Sequence, residues 1–526
     1  MPASCPHGAA AWKFAAAVER SRVKGSKAPG EKQPLLSSEE LESVVLIRMH
    51  AAGNPLGVPL EKASVQRERK LRRRIGLLGV FSFGYADVGA GIYMTLGLVA
   101  AHAGPAAPLA YAVASIPYLF TALSYAELSA AYPEAGGGML FAERAFGRAV
   151  AFLAGWSLLL DYIVTGSVFA LSTTGYLGHL FPILKSDPYF GVAAALIVFS
   201  LVVLNILGIR ESAAVSALLV LTDIAGLSTI MLIGYSTSFK PFFDQISFGS
   251  RPTWEGFLYG STLAMASYLG IEVISQVAGE TRKAGSTIPK AVKLVSAVVI
   301  LFSILFSSLA VGVVGWEVLG ASEKDPAAVV VEHLPYGKLL AIWVSVIGTT
   351  VCYVATNTGV VGVSRMAYAM GEMGMLPRWL TVLHSRFNTP YRAIALFAVF
   401  QLLLAYIGHL GLAAELYNFG ALLSYMIVCL SVAALRVKDP HRYRPFKVPG
   451  NVALKLKSGE YLVPLGAIAG SLANLAMWLM VVLTHGEGRL VGFAWLLAGA
   501  LVYLLYAGRR AESSRRAPLP PSLGGP

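Results

Sequence analysis

Apolar runs of about twenty residues recur along almost the whole chain, and no other feature constrains its fold so strongly. A run of this length can cross the hydrocarbon core of a bilayer as one helix. Of the 526 residues, 56% are hydrophobic and only 13% are charged, which is too little charge to cover the surface of a soluble chain of this length. Because the runs are continuous rather than alternating, a β-barrel is excluded. The sequence therefore predicts an all-α polytopic membrane protein.

The runs predict twelve transmembrane helices between two polar tails. Residues 1–73 lack a long apolar run and the apolar segment of a secretory signal, so we expect a disordered cytoplasmic tail there. Ten spans form a core at 74–436, a cytoplasmic loop follows at 437–461, two more spans occupy 462–508, and a cytoplasmic tail occupies 509–526. The predicted spans are roughly 75–101, 106–131, 150–181, 189–208, 213–237, 254–279, 289–316, 336–371, 390–409, 413–436, 462–484 and 489–508.

The formal net charge of +13 is distributed unevenly along the chain. With the N-terminus inside, 28 lysines and arginines lie in or beside the predicted cytoplasmic segments, and 6 lie in or beside the external ones. Basic residues mark the cytoplasmic side of a membrane protein, so this bias predicts that both termini are cytoplasmic. The bias toward cytoplasmic segments also accounts for the positive net charge, so we expect no nucleic-acid partner. The loops at 238–253 and 317–335 are predicted to be external, the second with a short helix in DPAAVVVEHL.

The first predicted span contains the stretch YADVGAGIYMTLG, Tyr85 to Gly97. Its glycines weaken a helix, and an interruption at Gly89-Ala90-Gly91 would leave backbone groups that only protein or a water-filled cavity can satisfy. The freed N–H groups suit a carboxylate, and the freed carbonyl groups suit a cation. The sixth span contains a similar stretch, SYLGIE, which fits an inverted repeat of about 75–237 by about 254–436. The alternative is that these glycines only permit close helix packing.

Further motifs lie in order between about residues 75 and 450, namely YAELSAAYPEAGG, GIRESA, GETRKAGSTIPKA, SRMAYAMGEMGMLP, NTP and RPFKVPG. Together with the two interrupted stretches, they make the sequence resemble the amino acid–polyamine–organocation superfamily of secondary transporters. The resemblance implies a leucine-transporter-like core of five-plus-five inverted repeats, two additional C-terminal helices and alternating access. It also implies that the two interruptions hold the substrate's α-carboxylate and α-amino groups. The candidate binding residues are therefore Gly89, Ala90, Gly91, Ser267, Tyr268 and Gly270.

Four acidic residues within predicted spans are candidates for coupling or cation binding, namely Asp87, Asp161, Asp223 and Glu272. A carboxylate at membrane depth costs about 2.5–3.5 kcal/mol on insertion scales, so we expect it to be protonated or paired with a cation. The alternative is a structural carboxylate hydrogen-bonded within the bundle. Asp223 stands where proton-coupled members of the superfamily have a lysine that replaces sodium. The role of that lysine is therefore not assigned to Asp223. Glu127 is expected to brace the cytoplasmic end against Arg144 or Arg365.

The sequence thus predicts a secondary active transporter of amino acids or related amines in the plasma membrane, coupled to H⁺ or Na⁺ and without a cofactor. No HExxH motif, histidine cluster or nucleophile elbow indicates a membrane enzyme, and the three cysteines lack metal-site spacing. One alternative is a proton-coupled potassium uptake permease, which the opening Tyr-Ala-Asp-Val-Gly also resembles. Against it, Phe169 and Leu269 stand where some potassium carriers of this fold have hydroxyl ligands. Another alternative is a signalling or partner-binding subunit that kept the fold without transport.

Overall fold

The computed structural model describes residues 75–508 except 135, 209–212 and 457–458. The predicted tails at 1–73 and 509–526 lie outside the described residues, as does most of the GIRESA motif. The described part is helical apart from one β-hairpin and its connecting segments. In chain order, the helices before the loop at 238–253 are α1 Leu77–Val88, α2 Gly91–Ala103, α3 Ala107–Ala131, α4 Gly137–Phe146, α5 Arg148–Leu180, α6 Tyr189–Ile206 and α7 Ala213–Thr237.

The remaining elements follow the loop after α7. They are α8 Trp254–Ala266, α9 Val273–Gln276, α10 Ala284–Val314, α11 Trp316–Ala321, α12 Pro326–Glu332, α13 Gly337–Glu372, α14 Tyr391–Ile407, α15 Leu410–Lys438, β1 Asn451–Leu456, β2 Gly459–Pro464, α16 Leu465–Thr484 and α17 Gly486–Val502. Helix α12 lies in the stretch DPAAVVVEHL, as the sequence predicts.

Nine helical stretches of the described chain are long and apolar enough to cross a membrane, which confirms a polytopic helical membrane protein. The count differs from the twelve predicted spans at three places. The first two spans lie in one apolar helical stretch, Leu77–Ala131, the sixth is divided between α8 and α9, and the ninth, α14, has only 17 residues. The number twelve therefore stays a prediction.

Helix α5 lies at the centre of the bundle and α17 at its edge. In its most apolar part α5 is 83% buried, whereas the corresponding part of Gly486–Tyr506 is 17% buried. Helices α5 and α13 cross closely at two glycines, since a Cβ atom built on Gly359 would lie 2.3 Å from the backbone nitrogen of Gly166. Small residues at such a crossing allow two helix backbones to approach in a membrane.

Three elements outside the spans are absent from the sequence prediction. Helix α4 lies between the second and third predicted spans, where only a loop is expected, and helix α11 lies in the loop predicted at 317–335, ahead of the helix expected there. Strands β1 and β2 pair antiparallel within and just beyond the predicted loop 437–461, with Asn451 opposite Pro464 and Leu456 opposite Gly459. Pro445, Pro449 and Gly450 disfavour a helix in the segment before the hairpin, and the pairing of the two strands was not predicted from the sequence.

Candidate functional site

The first helical span is interrupted where the sequence predicts, but the interruption is narrow. Helix α1 ends at Val88 and α2 begins at Gly91, while Gly89 and Ala90 between them keep right-handed helical backbone angles. The N–H group of Gly89 donates to the carbonyl of Tyr85 at 2.6 Å, and that of Tyr93 donates to the carbonyl of Ala90 at 3.2 Å. The chain thus forms a slight break in the helix rather than an open loop.

The second interruption is wider and depends on one glycine. Six residues, Ser267 to Glu272, run as successive turns between α8 and α9. Gly270 has φ +110°, a conformation that residues with a side chain rarely adopt. Its carbonyl accepts a hydrogen bond from the N–H group of Val273 at 3.2 Å, where α9 begins.

The two interruptions touch each other inside the bundle. A Cβ atom on Gly91 would lie 2.4 Å from both the Cα and the carbonyl oxygen of Ser267, and one on Gly270 would lie 2.7 Å from the carboxyl carbon of Asp87. Neither position can take a side chain unless its neighbour moves. Residues that are separated by about 180 positions therefore form one junction.

The other three predicted binding residues lie around this junction. Ala90 is buried between the two half-helices, and a Cβ atom on Gly89 would meet the ring of Tyr85 at 2.5 Å. The ring of Tyr268 stacks on Tyr118 with 5.1 Å between centroids, and its hydroxyl donates to the carbonyl of Tyr111 at 3.2 Å. The Tyr268 side chain is therefore part of an aromatic wall on α3.

Glu272 is held by a tyrosine that sequence reasoning did not single out. The hydroxyl of Tyr425, on α15, donates to Oε2 of Glu272 at 2.6 Å and accepts a hydrogen bond from the N–H group of Gly270 at 3.0 Å. One hydroxyl group thus ties the carboxylate to the second interruption. A single tyrosine within an apolar span gives no signal of this role, because its partner lies more than 150 residues away.

Asp87 and Asp161 are buried carboxylates without close hydrogen bonds. Each is 1% exposed, and within the described residues none of their four carboxylate oxygens has a hydrogen-bond partner within 3.5 Å. The hydroxyl of Thr358 lies near Asp87 but does not form such a hydrogen bond. Asp87 and Asp161 each lie close enough to Glu272 for electrostatic repulsion between the charged carboxylates, and they also lie close enough to repel each other. Burial of a charge is costly unless it is paired, so these two groups require a proton or a cation.

An uncharged polar group, the hydroxyl of Tyr417, lies beside these carboxylates. It is buried, has no hydrogen-bond partner within 3.5 Å in the described ranges although Thr165 is near, and lies within electrostatic range of Asp87, Asp161 and Glu272. The described His, Cys, Asp and Glu side chains do not converge in any group of three that would hold a metal ion. Asp87, Asp161 and Glu272 thus line a shared region, and their carboxylates do not surround a single metal-binding position.

Asp223 occupies a different environment from the other three carboxylates. Its two oxygens accept hydrogen bonds from the hydroxyls of Tyr85, at 2.8 Å, and Tyr93, at 2.6 Å. Tyr85 precedes the first interruption on α1, and Tyr93 follows it on α2. Asp223, from α7, therefore links the two halves of the first span, and its carboxylate is fully hydrogen-bonded.

The expected pairing of Glu127 with Arg144 is wrong. Its carboxylate pairs with Arg436, at 2.8 Å to Nε and 2.5 Å to Nη2, and also accepts the N–H group of Val448 at 2.7 Å. Arg144 instead pairs with Glu134 at 2.6 Å, on the protein surface. Glu127 thus fixes the end of α3 to α15 and to the RPFKVPG loop, because these segments meet there in the folded chain.

Comparison with known proteins gives consistent matches over most of the chain. The sequence model of the amino acid permease family matches residues 75–507. The branched-chain amino acid permease BcaP of Bacillus subtilis is 29% identical over 476 residues, which cover 86% of this chain and 96% of that protein. The methylthioribose transporter of Bacillus subtilis is 26% identical over 85% of this chain and 96% of its own. The low-affinity putrescine importer PlaP of Escherichia coli K12 is 28% identical over 83% of this chain and 93% of its own.

Proposed function

Because the chain belongs to the amino acid permease family, whose members are transporters rather than enzymes, we propose that it is a secondary active transporter of amino acids or related amines. It moves its substrate across the plasma membrane by alternating access, with both termini in the cytoplasm. The coupling ion is a proton or Na⁺.

The observation on which this proposal rests is the junction of the two interruptions. Helix α2 begins at Gly91, directly against Ser267, and the N-terminus of a helix favours a carboxylate. Asp87 lies beside Gly270 at the same junction and favours a positive charge. A substrate that has a carboxylate and an amino group on the same carbon atom, as an α-amino acid has, matches these two opposite charge preferences.

The unpaired carboxylates favour a substrate with a positively charged amino group. Asp87 and Asp161 are both buried, and neither has a hydrogen-bond partner within 3.5 Å among the described residues. An ammonium group offers up to three donors, and its charge offsets part of the cost of burying a carboxylate. A coupling proton on either group has the same electrostatic effect, so substrate binding and proton binding compete for this region.

The twelve-span, five-plus-five architecture is part of the same proposal. It is supported by the positions of the two interruptions, in the first and sixth predicted spans. It is also supported by the distribution of basic residues, 28 on the predicted cytoplasmic side against 6 on the other. The segments at about 75–237 and 254–436 then form the two repeats, which move relative to each other around the junction of the two interruptions.

Counterflow in proteoliposomes tests the proposal. Vesicles loaded with unlabelled leucine, lysine, putrescine or methylthioribose are diluted into a trace of the same labelled compound. We expect transient accumulation of at least one amino acid or amine, which a proton or Na⁺ gradient then increases. A signal equal to that of protein-free vesicles for every amino acid and amine would contradict the proposal.

Potassium uptake is the second candidate, because unpaired buried carboxylates also suit an alkali cation. Phe169 and Leu269 argue against it, since both are buried and apolar, and Phe169 packs edge-on against Tyr417 at 6.2 Å. A bare cation site needs oxygen ligands. Labelled rubidium in the same vesicles separates the two candidates. Rubidium uptake without amino acid or amine counterflow would favour the potassium permease.

A further inference from the structure

An apolar groove runs along the outer surface of the bundle between α3 and α10. Its volume is about 520 Å³, a size typical of ligand sites. Seven of its nine lining residues are apolar, among them Leu119, Leu301 and Leu305, which are 39%, 54% and 36% exposed. The two polar lining residues are Lys293 and Ser296. In a membrane-spanning bundle, such a face is in contact with lipid.

The length of the groove matches one leaflet of a bilayer. From Lys293 to Leu305, α10 advances twelve residues, which is about 18 Å at 1.5 Å per residue, close to half of a hydrocarbon core of about 30 Å. From Lys293 to the end of α10 at Val314 the rise is about 32 Å, close to the full core thickness. Lys293 therefore lies at the level of the lipid headgroups.

The end of the groove at Lys293 is basic. The ammonium group of Lys293 lies 5.0 Å from the ring centroid of Phe446, which holds the side chain at the groove. Lys290 is exposed one turn earlier on the same helix face, and Lys447 is exposed next to Phe446. No carboxylate of the described chain forms an ion pair with Lys293 within 4.0 Å. This end therefore offers positive charge to a headgroup phosphate.

We propose that the groove binds an anionic glycerophospholipid. One acyl chain lies along the apolar wall, and the negatively charged headgroup lies against Lys293, with Lys290 and Lys447 adding to the positive potential. The site is separate from the junction of the two interruptions, and its occupant is lipid rather than a transported molecule.

The groove wall adjoins the second interruption. The hydroxyl of Ser296 donates to the hydroxyl oxygen of Tyr118 at 3.4 Å, and the ring of Tyr118 stacks on that of Tyr268 at 5.1 Å. A bound acyl chain thus supports the wall against which Tyr268 packs. We expect transport to depend on the anionic lipid for this reason.

Native mass spectrometry of the full chain, released from nanodiscs of phosphatidylcholine with a minor fraction of phosphatidylglycerol, tests the binding. We expect retained phosphatidylglycerol in excess of its bulk fraction. Lys293→Gln should lower this retention about fivefold, since one lysine near an anionic surface contributes about that factor. Ala297→Trp, which fills the exposed groove wall, should displace the acyl chain and lower retention of both lipids.

Matched controls distinguish the groove from general effects. Lys240→Gln removes one positive charge from the loop after α7, and Ala225→Trp adds the same bulk to an exposed position of α7. Both should retain lipid as the parent protein does. Equal phosphatidylglycerol retention by the parent, Lys293→Gln and Ala297→Trp proteins would overturn the proposal. So would displacement of phosphatidylglycerol from the parent by added sterol, because the groove would then be a sterol site.

Binding and transport are read out separately. Counterflow is measured in vesicles of phosphatidylcholine with and without phosphatidylglycerol, and we expect faster counterflow with it for the parent and no such increase for Lys293→Gln. An increase of the same size in both proteins would show that the lipid acts elsewhere and would contradict the coupling to Tyr268. Retention of lipid by a protein without counterflow activity would leave the lipid site standing and would refute the proposed function alone.

Discussion

At the scale of single residues, Asp87 distinguishes the roles that an acidic group can have in this bundle. It lies in the last turn of helix α1, is 1% exposed and has no hydrogen-bond partner within 3.5 Å among the described residues. Asn has the size and shape of Asp but cannot ionise. If Asp87 carries the coupling proton, Asp87→Asn should retain exchange of labelled substrate and lose accumulation driven by a pH gradient, because exchange needs no net proton movement.

The same variant has a different outcome if Asp87 binds the substrate amine or potassium. Binding itself should then be lost, since pairing offsets an insertion cost of a few kcal/mol. Exchange and gradient-driven uptake are measured side by side, with labelled amino acid and with rubidium. If both activities remain at the parent level, Asp87 is a structural residue and has neither role.

A second prediction at this scale concerns the contribution of the Asp223 hydrogen bonds to the stability of the protein. Tyr85→Phe and Tyr93→Phe each remove one hydrogen bond to this buried carboxylate, and each should lower the free energy of unfolding by about 1.5–3 kcal/mol. Tyr417→Phe is the control, because its hydroxyl has no hydrogen-bond partner within 3.5 Å in the described part of the chain, and loss of its longer contact with Thr165 should cost little. Denaturant unfolding in detergent measures all three. Equal effects of the three substitutions would show that Asp223 does not link the halves of the span.

At the scale of helices and loops, the contact between the two interruptions depends on Gly91. A Cβ atom there would lie 2.4 Å from the backbone of Ser267, so Gly91→Ala should separate the interruptions. Overpacking of this kind costs about 1–3 kcal/mol, which leaves the protein folded but should remove most counterflow. Gly486→Ala is the matched control, since no atom lies within 4 Å of its added Cβ. Full activity in Gly91→Ala would contradict the assignment of the junction.

The ion pair between Glu127 and Arg436 gives another prediction at this scale. Both side chains are at most 5% exposed, so Glu127→Gln leaves a buried guanidinium without its carboxylate, and we expect a loss of about 3–5 kcal/mol of unfolding free energy. Glu134→Gln breaks the pair with Arg144, whose side chains are 48% and 33% exposed, and should cost at most about 1 kcal/mol. Similar losses in the two variants would indicate that burial does not decide the strength of these pairs.

At the scale of the whole molecule, the proposed topology places Ser250 outside the cell and His441 inside. Both residues are exposed on connecting segments. Single cysteines at these positions, in a background that lacks Cys5, Cys352 and Cys429, should differ in labelling by an impermeant maleimide on intact cells. We expect Ser250→Cys to react and His441→Cys to react only after permeabilisation. The reverse pattern would mean that the orientation is inverted.

Sequence reasoning found the membrane spans because hydrophobicity acts over contiguous residues. A lipid-facing helix needs about twenty apolar residues in a row, and this requirement is visible without knowledge of the partners of the helix. The two glycine-containing interruptions were found for a similar reason, since glycine weakens a helix at its own position. Family membership followed from motifs in order along the chain and was confirmed by the family match over residues 75–507.

The tertiary structure alone decided which polar groups meet. Glu127 and Arg436 are 309 positions apart, Glu272 and Tyr425 are 153 apart, and Asp223 and Tyr85 are 138 apart. Four acidic residues looked alike in the sequence, yet the fold satisfies Asp223 with two hydroxyls, satisfies Glu272 with one, and leaves Asp87 and Asp161 without hydrogen-bond partners among the described residues. The sequence determines whether each segment enters lipid, because the free energy of transfer from water to lipid is a sum over the residues of that segment. The partners of a buried charge depend on helix packing, which no single segment encodes.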